Sequence, residues 1–290
     1  MEDNAPAYTI KRDDESYPIA LTQDNRPPST LYIRGSLSST PSIAIVGTRK
    51  ATQYGKTLAY DWASALARHG YAIVSGLAFG IDASAHQGAL DAHGITYAVL
   101  AHGLDTICPT SHRSLAQSII SSNGALISEY APGTPPLTHH FIERNRIISG
   151  FSRAVIIIEA PEQSGALSTA AYALKQKIRV FVIPGPITAQ TFTGSHQLIR
   201  AGARLVSSIS DVLFDLEGER QTSFSENRSR MLPHLDHSPI LQALSKAGVP
   251  CSVDKLAQLT KLTPQAVSRQ LTTLLLENSV TEEHGTYRIT

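Results

Sequence analysis

Residues 42–47 read SIAIVG, a run of apolar residues that ends in a glycine. Similar runs follow as AIVSG at 72–76, YAVLAHG at 97–103, AVIIIE at 154–159 and VFVIPG at 180–185. Strands that are apolar on both faces are covered on both sides, which is typical of a parallel sheet between two layers of helices. Residues 42–47 are therefore predicted to be the first strand of such a sheet.

Helical patterns separate these runs at residues 54–69, 81–92, 111–121, 142–149, 168–177 and 195–202. An alternation of strand and helix is typical of βαβ units. The sequence from 41 to 217 thus predicts an extended Rossmann-like α/β domain with a doubly wound, mostly parallel sheet. Because ligands of such folds bind at the carboxyl ends of the strands, the loops that follow the strands form the candidate site.

The chain changes character on both sides of this domain. Residues 1–40 predict an extended lead-in to the sheet, and the polar residues 218–238 predict a linker. Between 239 and 290, three helical patterns precede a hairpin that is expected to turn at His284 and Gly285. That order is typical of a small winged helix-turn-helix domain.

The composition restricts the classes of function. Lys and Arg number 25 against 24 Asp and Glu, and the net charge of +1 argues against a polycation with a broad basic surface. Cys108 and Cys251 form no metal or disulfide pattern, which fits a reducing compartment. No apolar run approaches the ~20 residues of a membrane span. We expect a cytoplasmic protein without membrane contact.

Two familiar nucleotide-binding motifs are incomplete. GKT at residues 55–57 resembles the end of a P-loop, but Lys50 stands where that motif needs its first glycine. GTR at 47–49 lacks the glycines of the dinucleotide fingerprint, and SG at 75–76 replaces the acidic residue expected after the second strand. The sequence predicts neither ATP hydrolysis nor NAD binding, and no cofactor is expected.

Three strand exits instead combine glycines with hydroxyl side chains: GTR at 47–49, SGLAFGID at 75–82 and SGALST at 164–169. Such residues at helix starts offer backbone amides to an anion. Arg49 adds a guanidinium that suits bidentate contact with phosphate. The alternative is that these glycines only permit tight turns, but three such loops at one sheet edge favour an anion site.

A fourth stretch, FIERNRIISG at residues 141–150, contributes two more arginines. Arg144 and Arg146 are two residues apart, so on a helix they point about 200° apart. One can therefore face a phosphate while the other packs or pairs. Phe141 is expected in a loop before the helix, where it is either a stacking platform for a base or a hydrophobic staple.

Catalytic and metal-binding patterns are weak. His139 and His140 adjoin, but no carboxylate or cysteine lies at ligand spacing, so no metal site is expected. Asp82 is interpreted as a helix N-cap. Glu159 lies at a strand end, yet no neighbour in the sequence identifies it as a base. We expect a protein that is not an enzyme.

Together these stretches resemble the bacterial DNA-processing protein A family (DprA, also called Smf). The resemblance rests on GTR at 47–49, SGLAFGID at 75–82, FxxRNRIISG at 141–150 and SGALxTA at 164–170. It continues in VIPG at 182–185 and GSxxLIxxGA at 194–203, and it spans about residues 17–216. Residues 239–289 are similar to the winged-helix tail that many members carry.

The resemblance implies a domain that binds and protects single-stranded DNA, dimerises, and helps to load RecA recombinase during natural transformation. It also implies the residues of the nucleic-acid site. Arg49 would contact phosphate, Phe141 would stack near a base, and Arg144 would help to build the pocket. The other residues of this predicted site are Gly47, Thr48, Lys50, Ser75, Gly76, Asn145, Arg146, Ser164, Gly165 and Thr169.

The sequence departs from the family at three positions. His196 stands where relatives usually have Asn, Cys108 where Tyr is common, and Phe151 where Leu usually follows the glycine. These departures put the contribution of the three positions to the pocket in question.

Two other functions stay open. A nucleotide-acting hydrolase of the glycosidase type would need a PGGxGT stretch followed by a glutamate, but the sequence has PGPI at 184–187. A winged-helix transcription regulator would use residues 263–278 as its recognition helix, where Arg269 is the one basic residue. Readers of duplex DNA normally carry more charge toward phosphate.

Overall fold

The computed structural model describes residues 7–22, 24, 26–221, 239–276, 279–283 and 285–289. The chain forms two compact units, Met1–Glu217 and Gly218–Thr290. The strands of the first unit are β1 (Tyr8–Lys11), β2 (Thr30–Gly35), β3 (Ser42–Val46), β4 (Ala72–Ser75), β5 (Thr96–Val99), β6 (Ala125–Ser128), β7 (Ala154–Ile157), β8 (Arg179–Val182) and β9 (Arg204–Leu205). Its helices are α1 (Ile19–Thr22), α2 (Gln53–Arg68), α3 (Ile81–Asp91), α4 (Arg113–Ser121), α5 (Thr138–Gly150), α6 (Ala166–Lys175), α7 (Thr193–Arg200) and α8 (Ile209–Gln221).

The strands of the first unit share one sheet in the order β1-β2-β6-β5-β4-β3-β7-β8-β9. The pairs from β6 to β9 are parallel, whereas β1 with β2 and β2 with β6 are antiparallel. The predicted doubly wound, mostly parallel sheet is thus confirmed. After β3 the chain first builds β4, β5 and β6 on one side and later β7, β8 and β9 on the other. Such a reversal opens a crevice for ligands beyond the end of β3.

Burial on both faces explains the apolar runs. Ile43 and Ile45 of β3 pack with α2 and α3, whereas Ala44 and Val46 pack in the core formed with α5 and α6. All residues of β3, β4, β5, β6 and β7 are buried. Helices on both faces therefore hold the ends of the central strands in fixed positions, from which the following loops emerge.

The structure corrects the predicted lead-in at residues 1–40. Its described part contributes β1 and β2 to the sheet, and β2 pairs with β6. Leu31 and Ile33 of β2 are fully buried, and the Tyr17 hydroxyl donates to the carbonyl of Pro28 at 2.8 Å. TLYIRG is short and buries alternate residues, so β2, which lies between β1 and β6, did not stand out beside the longer apolar runs.

The predicted linker begins later than expected. Helix α8 continues to Gln221, so its last turn lies within residues 218–238. The stretch GERQ at 218–221 contains three good helix formers after its glycine, which allows the helix to continue. The rest of the predicted linker, residues 222–238, lies outside the described residues. None of the helices in the described ranges combines the length and apolar content that crossing a membrane requires.

The second unit has the predicted winged-helix order. It contains α9 (Pro239–Ala247), β10 (Cys251–Ser252), α10 (Val253–Thr260), α11 (Pro264–Leu276), β11 (Val280–Glu283) and β12 (Thr286–Ile289). The strands pair antiparallel in the order β10-β12-β11. Ile240, Leu256 and Val267 from the three helices form its core. The hairpin was expected to turn at His284 and Gly285. Gly285 has a φ of 78°, whereas His284 lies outside the described residues.

Candidate nucleic-acid interface

A cavity of about 440 Å³ opens beyond the end of β3, at the point where the strand order reverses. The loop after β3, the loop after β4, helix α5 and the start of α6 surround it. The predicted site residues in its lining are Gly47, Thr48, Arg49, Phe141, Arg144, Asn145, Ser164, Gly165 and Thr169. Further lining residues were not singled out in the sequence: Ala78 and Ile142 belong to the motifs at 75–82 and 141–150, whereas Pro161 and Gln163 lie in no such motif.

Glu159 holds the loop after β3 in place through hydrogen bonds. The amide of Thr48 donates to the Glu159 carbonyl at 2.8 Å, while the Glu159 carboxylate accepts from the amide and hydroxyl of Thr52 at 3.1 and 2.8 Å. Thr52 in turn caps α2, because its hydroxyl accepts from the amide of Gly55 at 3.0 Å. Glu159 is fully buried, so its carboxylate positions the loop and does not face the cavity as a base.

Asp82 fixes the loop after β4, and the N-cap interpretation is wrong. Gly80 occupies the N-cap of α3, and Asp82 is the second residue of the helix, within its first turn. Its carboxylate accepts from the amides of Gly76 and Ala78 at 3.1 and 3.3 Å. Burial raises the pKa of Asp82, and the nearby Arg144 guanidinium opposes that rise. Asp82 thus folds the loop back over the strand end.

Arg144 is the buried cation of the site. Its guanidinium donates to the carbonyls of Gly76, at 3.0 Å, and of Val99, and only 3% of the residue is exposed. Burial lowers the pKa of Arg144 to about 10, partly offset by the charge of Asp82. At Gly76 a Cβ atom would lie 2.7 Å from the Arg144 guanidinium. The lack of a side chain at Gly76 therefore leaves room for the Arg144 guanidinium, and Gly76 itself does not line the cavity.

Arg146 points away from the cavity, as the two-residue spacing allowed. Its guanidinium pairs with Glu129 and lies 3.6 Å from Asp24, and the residue is buried. Arg146 is therefore a structural cation that connects α5 to the segment before β2 and to the end of β6. The predicted grouping of Arg144 and Arg146 in one pocket is corrected, because a helix cannot direct both side chains to the same side.

Two further predicted residues also lie outside the lining. The hydroxyl of Ser75 is buried and donates to the Ile45 carbonyl at 2.7 Å, which ties β4 to the neighbouring β3. Lys50 is exposed beside the loop, and its amide donates to the Thr48 hydroxyl at 3.2 Å. Ser75 shapes the strand end, whereas Lys50 remains available to a ligand that extends beyond the cavity.

Phe141 lies in the first turn of α5, not in a preceding loop, because the helix begins at Thr138. The helix start was missed since Leu137 at its N-cap makes no side-chain cap. The ring lies beneath two cations: the guanidinium carbons of Arg49 and Arg144 are 5.0 and 5.9 Å from its centroid. Both distances suit cation–π attraction, which orients Arg49 over the cavity.

The far wall is the start of α6. The side-chain amide of Asn145 donates to the Gly165 carbonyl at 3.2 Å and to the Ser168 hydroxyl at 2.8 Å, which locks α5 against this turn. Around Gly165 there is open space, since a Cβ atom there would meet no atom within 4 Å. The first amides of α6 donate within the turn, Ala166 to the Ser164 hydroxyl at 3.3 Å and Leu167 to the Ser164 carbonyl at 3.1 Å, so the helix start offers an anion mainly the positive end of its dipole.

The three departures from the family pattern do not alter the lining. His196 Nε2 lies 3.1 Å from the Gly185 carbonyl, and Phe151 packs against the core on the α5 face. Cys108 is a free thiol and precedes Pro109 through a cis peptide bond. Within the described residues, no three His, Cys, Asp or Glu side chains come together as a metal site.

Comparison with known proteins identifies the same family for both units. Residues 8–217 match the family of DNA recombination-mediator protein A, and residues 228–286 match the DprA winged helix domain. The Smf protein of Escherichia coli is 42% identical over 212 residues, which are 72% of this chain and 57% of Smf. This chain thus spans less than two thirds of the length of that relative.

Solved structures show the same relationship. DprA from Streptococcus pneumoniae superposes with a TM-score of 0.67 at 38% identity, covering 71% of this chain and 73% of that one. DNA processing protein A from Helicobacter pylori, whose structure concerns its binding of single-stranded DNA, superposes with a TM-score of 0.67 at 32% identity. The match covers 76% of this chain and 99% of that one. The family match over most of the chain, the winged-helix match and these structures agree with the motifs, and the chain belongs to the DNA recombination-mediator protein A family, DprA or Smf.

Proposed function

We propose that this chain is a non-catalytic protein that binds single-stranded DNA. The observation that carries the proposal is the Phe141 ring beneath the guanidinium groups of Arg49 and Arg144, at a cavity walled by the loop after β3 and the start of α6. An aromatic face accepts an unpaired base, and an adjacent cation accepts the phosphate beside it. A base stacked inside a duplex would not be available to such a ring.

The polar groups of the cavity favour binding without sequence preference. Asn145 is already engaged by Gly165 and Ser168, and Arg144 donates to two backbone carbonyls. Their hydrogen-bonding groups are largely used within the protein, so few remain for the edges of a base. Stacking and phosphate contact are tolerant of sequence, and a protein that handles incoming DNA must accept any strand.

The carboxylates near the cavity argue against the hydrolase alternative. Glu159 and Asp82 are both buried, and both accept hydrogen bonds from backbone amides, Glu159 from Thr52 and Asp82 from Gly76 and Ala78. Glu159 does not line the cavity, and the Asp82 carboxylate at the cavity wall is already engaged by these amides, so neither is placed as an acid or base for a bound nucleotide. Release of free base from nucleoside monophosphates by the purified protein would contradict this conclusion.

The wider role is inferred from the family. We propose that the protein protects incoming single strands, helps to load RecA during natural transformation and acts in the cytoplasm as a homodimer through its Rossmann-like domain. The free thiols of Cys108 and Cys251 support a reducing compartment. Leu205 on the terminal strand β9 and Phe214 on α8 are about half exposed and offer apolar surface for a second copy.

Replacing Arg49 or Phe141 by alanine should weaken binding in different ways. We expect Phe141→Ala to cost ~1–3 kcal/mol through lost stacking, with little change in salt dependence. Arg49→Ala should weaken binding to all sequences and reduce the slope of log K against log salt by about 0.7, the value for one phosphate contact on a single strand. Fluorescence anisotropy with a labelled oligonucleotide at several salt concentrations, without nucleotide or metal, measures both effects.

Arg153→Ala is the matched control for these two variants. Arg153 is exposed and precedes β7, at the opposite edge of the sheet from the cavity. Its replacement should leave both affinity and slope unchanged. Equal binding by the parent protein, Arg49→Ala and Phe141→Ala would show that the site is elsewhere, and preference for duplex over single strands would refute the proposed function.

Gly165 and Gly47 test whether the ligand approaches the wall at α6. Gly165→Ala adds a methyl group to open space at an ordinary helical φ of −58°, so stability should change by less than about 0.5 kcal/mol. We expect affinity to fall about tenfold, ~1.4 kcal/mol, because the methyl enters the cavity. Gly47→Ala should instead destabilise the fold by ~1–3 kcal/mol, since its Cβ would lie 2.5 Å from Ile81.

Urea unfolding followed by the fluorescence of Trp62, the single tryptophan of the chain, separates the two outcomes. Unchanged oligonucleotide binding by a stable Gly165→Ala protein would exclude Gly165 from the contact surface.

A further inference from the structure

Phe79 is an exposed aromatic residue beside the cavity that the proposed site does not use. It lies in the loop after β4, and 50% of it is exposed. Its neighbours Ala78 and Asp82 line the cavity. Most large apolar side chains of this domain are buried between the sheet and its helices, so an exposed phenyl ring at this place requires an explanation.

The backbone of the loop directs Phe79 outward. Leu77 has a φ of 59°, which is uncommon for a residue other than glycine, and its side chain is fully buried in a core beneath the loop. Gly80 has a φ of 78°, and a Cβ atom there would lie 2.4 Å from the Thr48 carbonyl and 2.8 Å from that of Arg49. The loop that carries Phe79 is therefore in direct contact with the backbone of Arg49.

His112 holds the Phe79 ring in place. The two ring centroids are 4.7 Å apart with an interplanar angle of 69°, an edge-to-face arrangement. His112 Nδ1 lies 2.8 Å from the Leu77 carbonyl and donates to it, so the imidazole is anchored to the same loop. The phenyl ring is thus supported through one contact and retains half of its surface for another partner.

Arg49 connects Phe79 with Phe141. Its backbone contacts Gly80, next to Phe79, while its guanidinium lies 5.0 Å from the Phe141 centroid. Arg49, an exposed cation, therefore contacts Phe141 through its side chain and the loop of Phe79 through its backbone. Alternating aromatic and cationic groups match the alternation of base and phosphate along a single strand, whose successive bases stack on successive aromatic side chains.

We propose that Phe79 is a second stacking platform, on which the strand places the base that follows or precedes the one on Phe141. The phosphate between those two bases would lie at Arg49. This inference rests on the proposed binding of single-stranded DNA and adds to it the direction of the strand, from α5 across the loop after β3 toward His112. The ligand class is any nucleobase, because stacking uses the face that all bases share.

Three substitutions at Phe79 test the platform. Phe79→Ala should weaken binding to a single-stranded oligonucleotide about 5- to 100-fold, the range for one lost stacking contact. Phe79→Leu should show a similar loss although it keeps an apolar side chain, whereas Phe79→Trp should retain affinity. Tyr8→Ala is the control, since Tyr8 is another exposed aromatic residue, 42% exposed, but lies on β1. Thermal unfolding of each variant checks that the fold is intact.

An abasic scan assigns the platform to one nucleotide. A single abasic site is moved through the shortest oligonucleotide that keeps full affinity, so that the strand cannot shift its register. The parent protein should be sensitive at two neighbouring positions. Phe79→Ala should lose sensitivity at one of them, and Phe141→Ala at the other.

The outcomes separate the two proposals. If Arg49→Ala and Phe141→Ala weaken binding while Phe79→Ala binds like the parent, the second platform is refuted and the proposed function stands. Equal losses with Phe79→Ala and Tyr8→Ala would also refute it, because the effect would not depend on position. If the parent protein binds no single-stranded oligonucleotide, both proposals fail.

Discussion

Replacing Arg144 by methionine should destabilise the first unit by about 2–6 kcal/mol, since it leaves two buried carbonyls unsatisfied at about 1–3 kcal/mol each. Methionine retains much of the side-chain volume but cannot donate to the Gly76 and Val99 carbonyls, which Arg144 now satisfies. It also leaves Asp82 buried without its neighbouring cation. Urea unfolding followed by Trp62 fluorescence measures the change, since Trp62 is buried in α2 of this unit.

Arg49→Met is the matched control because it makes the same replacement at an exposed arginine of the same cavity. Its stability should stay within about 0.5 kcal/mol of the parent. Combining Arg144→Met with Asp82→Asn should cost less than the sum of the two single changes, since the second removes the charge that the first leaves unpaired. An Arg144→Met protein within 1 kcal/mol of the parent would show that Arg144 is not needed for folding.

Replacing Gly80 by alanine should destabilise the fold by about 3–5 kcal/mol, through backbone strain and steric overlap together. Gly80 combines a φ of 78° with a ψ of −119°, a region that residues with a Cβ rarely adopt. The added methyl would also lie 2.4 Å from the Thr48 carbonyl. Relief of this overlap must separate the loops after β3 and β4, and oligonucleotide binding should be lost with it.

Gly133→Ala distinguishes strain from overlap. Gly133 also has a positive φ, of 83°, but a Cβ atom there would meet nothing within 4 Å. We expect it to cost only the conformational penalty of about 1–2 kcal/mol. If Gly80→Ala costs no more than Gly133→Ala in urea unfolding, the contact between the two loops does not stabilise the site.

Much of the fold could be predicted because burial on both faces of a strand is visible in the sequence. The central strands are apolar at every position, and the helices between them have ordinary lengths. The strands β1 and β2, at one end of the sheet, could not be predicted in this way, since TLYIRG of β2 buries alternate residues. Its membership of the sheet depends on pairing with β6, which is distant in the sequence.

The site was predictable in outline but not in the role of each residue. The spacing of Arg144 and Arg146 shows that they point in different directions, but not which of them faces the cavity. That choice depends on Glu129 and Asp24, which come from other segments and pair with Arg146. Likewise Ser75 belongs to a glycine-rich loop motif, yet its hydroxyl is directed to the adjacent strand. Such assignments require tertiary contacts that one sequence does not reveal.

The carboxylate of Glu159 gives the protein a built-in anion at the start of α2. In many nucleotide-binding folds the helix after the first strand offers its free amides to a phosphate. Here the Thr52 amide and hydroxyl already bind Glu159, and a Cβ atom at Gly55 would overlap that carboxylate. A phosphate could bind at the start of α2 only by displacing the Glu159 carboxylate, which belongs to the chain and cannot diffuse away. The start of α2, which binds phosphate in those folds, is therefore filled by the chain itself, and a ligand of the neighbouring cavity must be held by other groups.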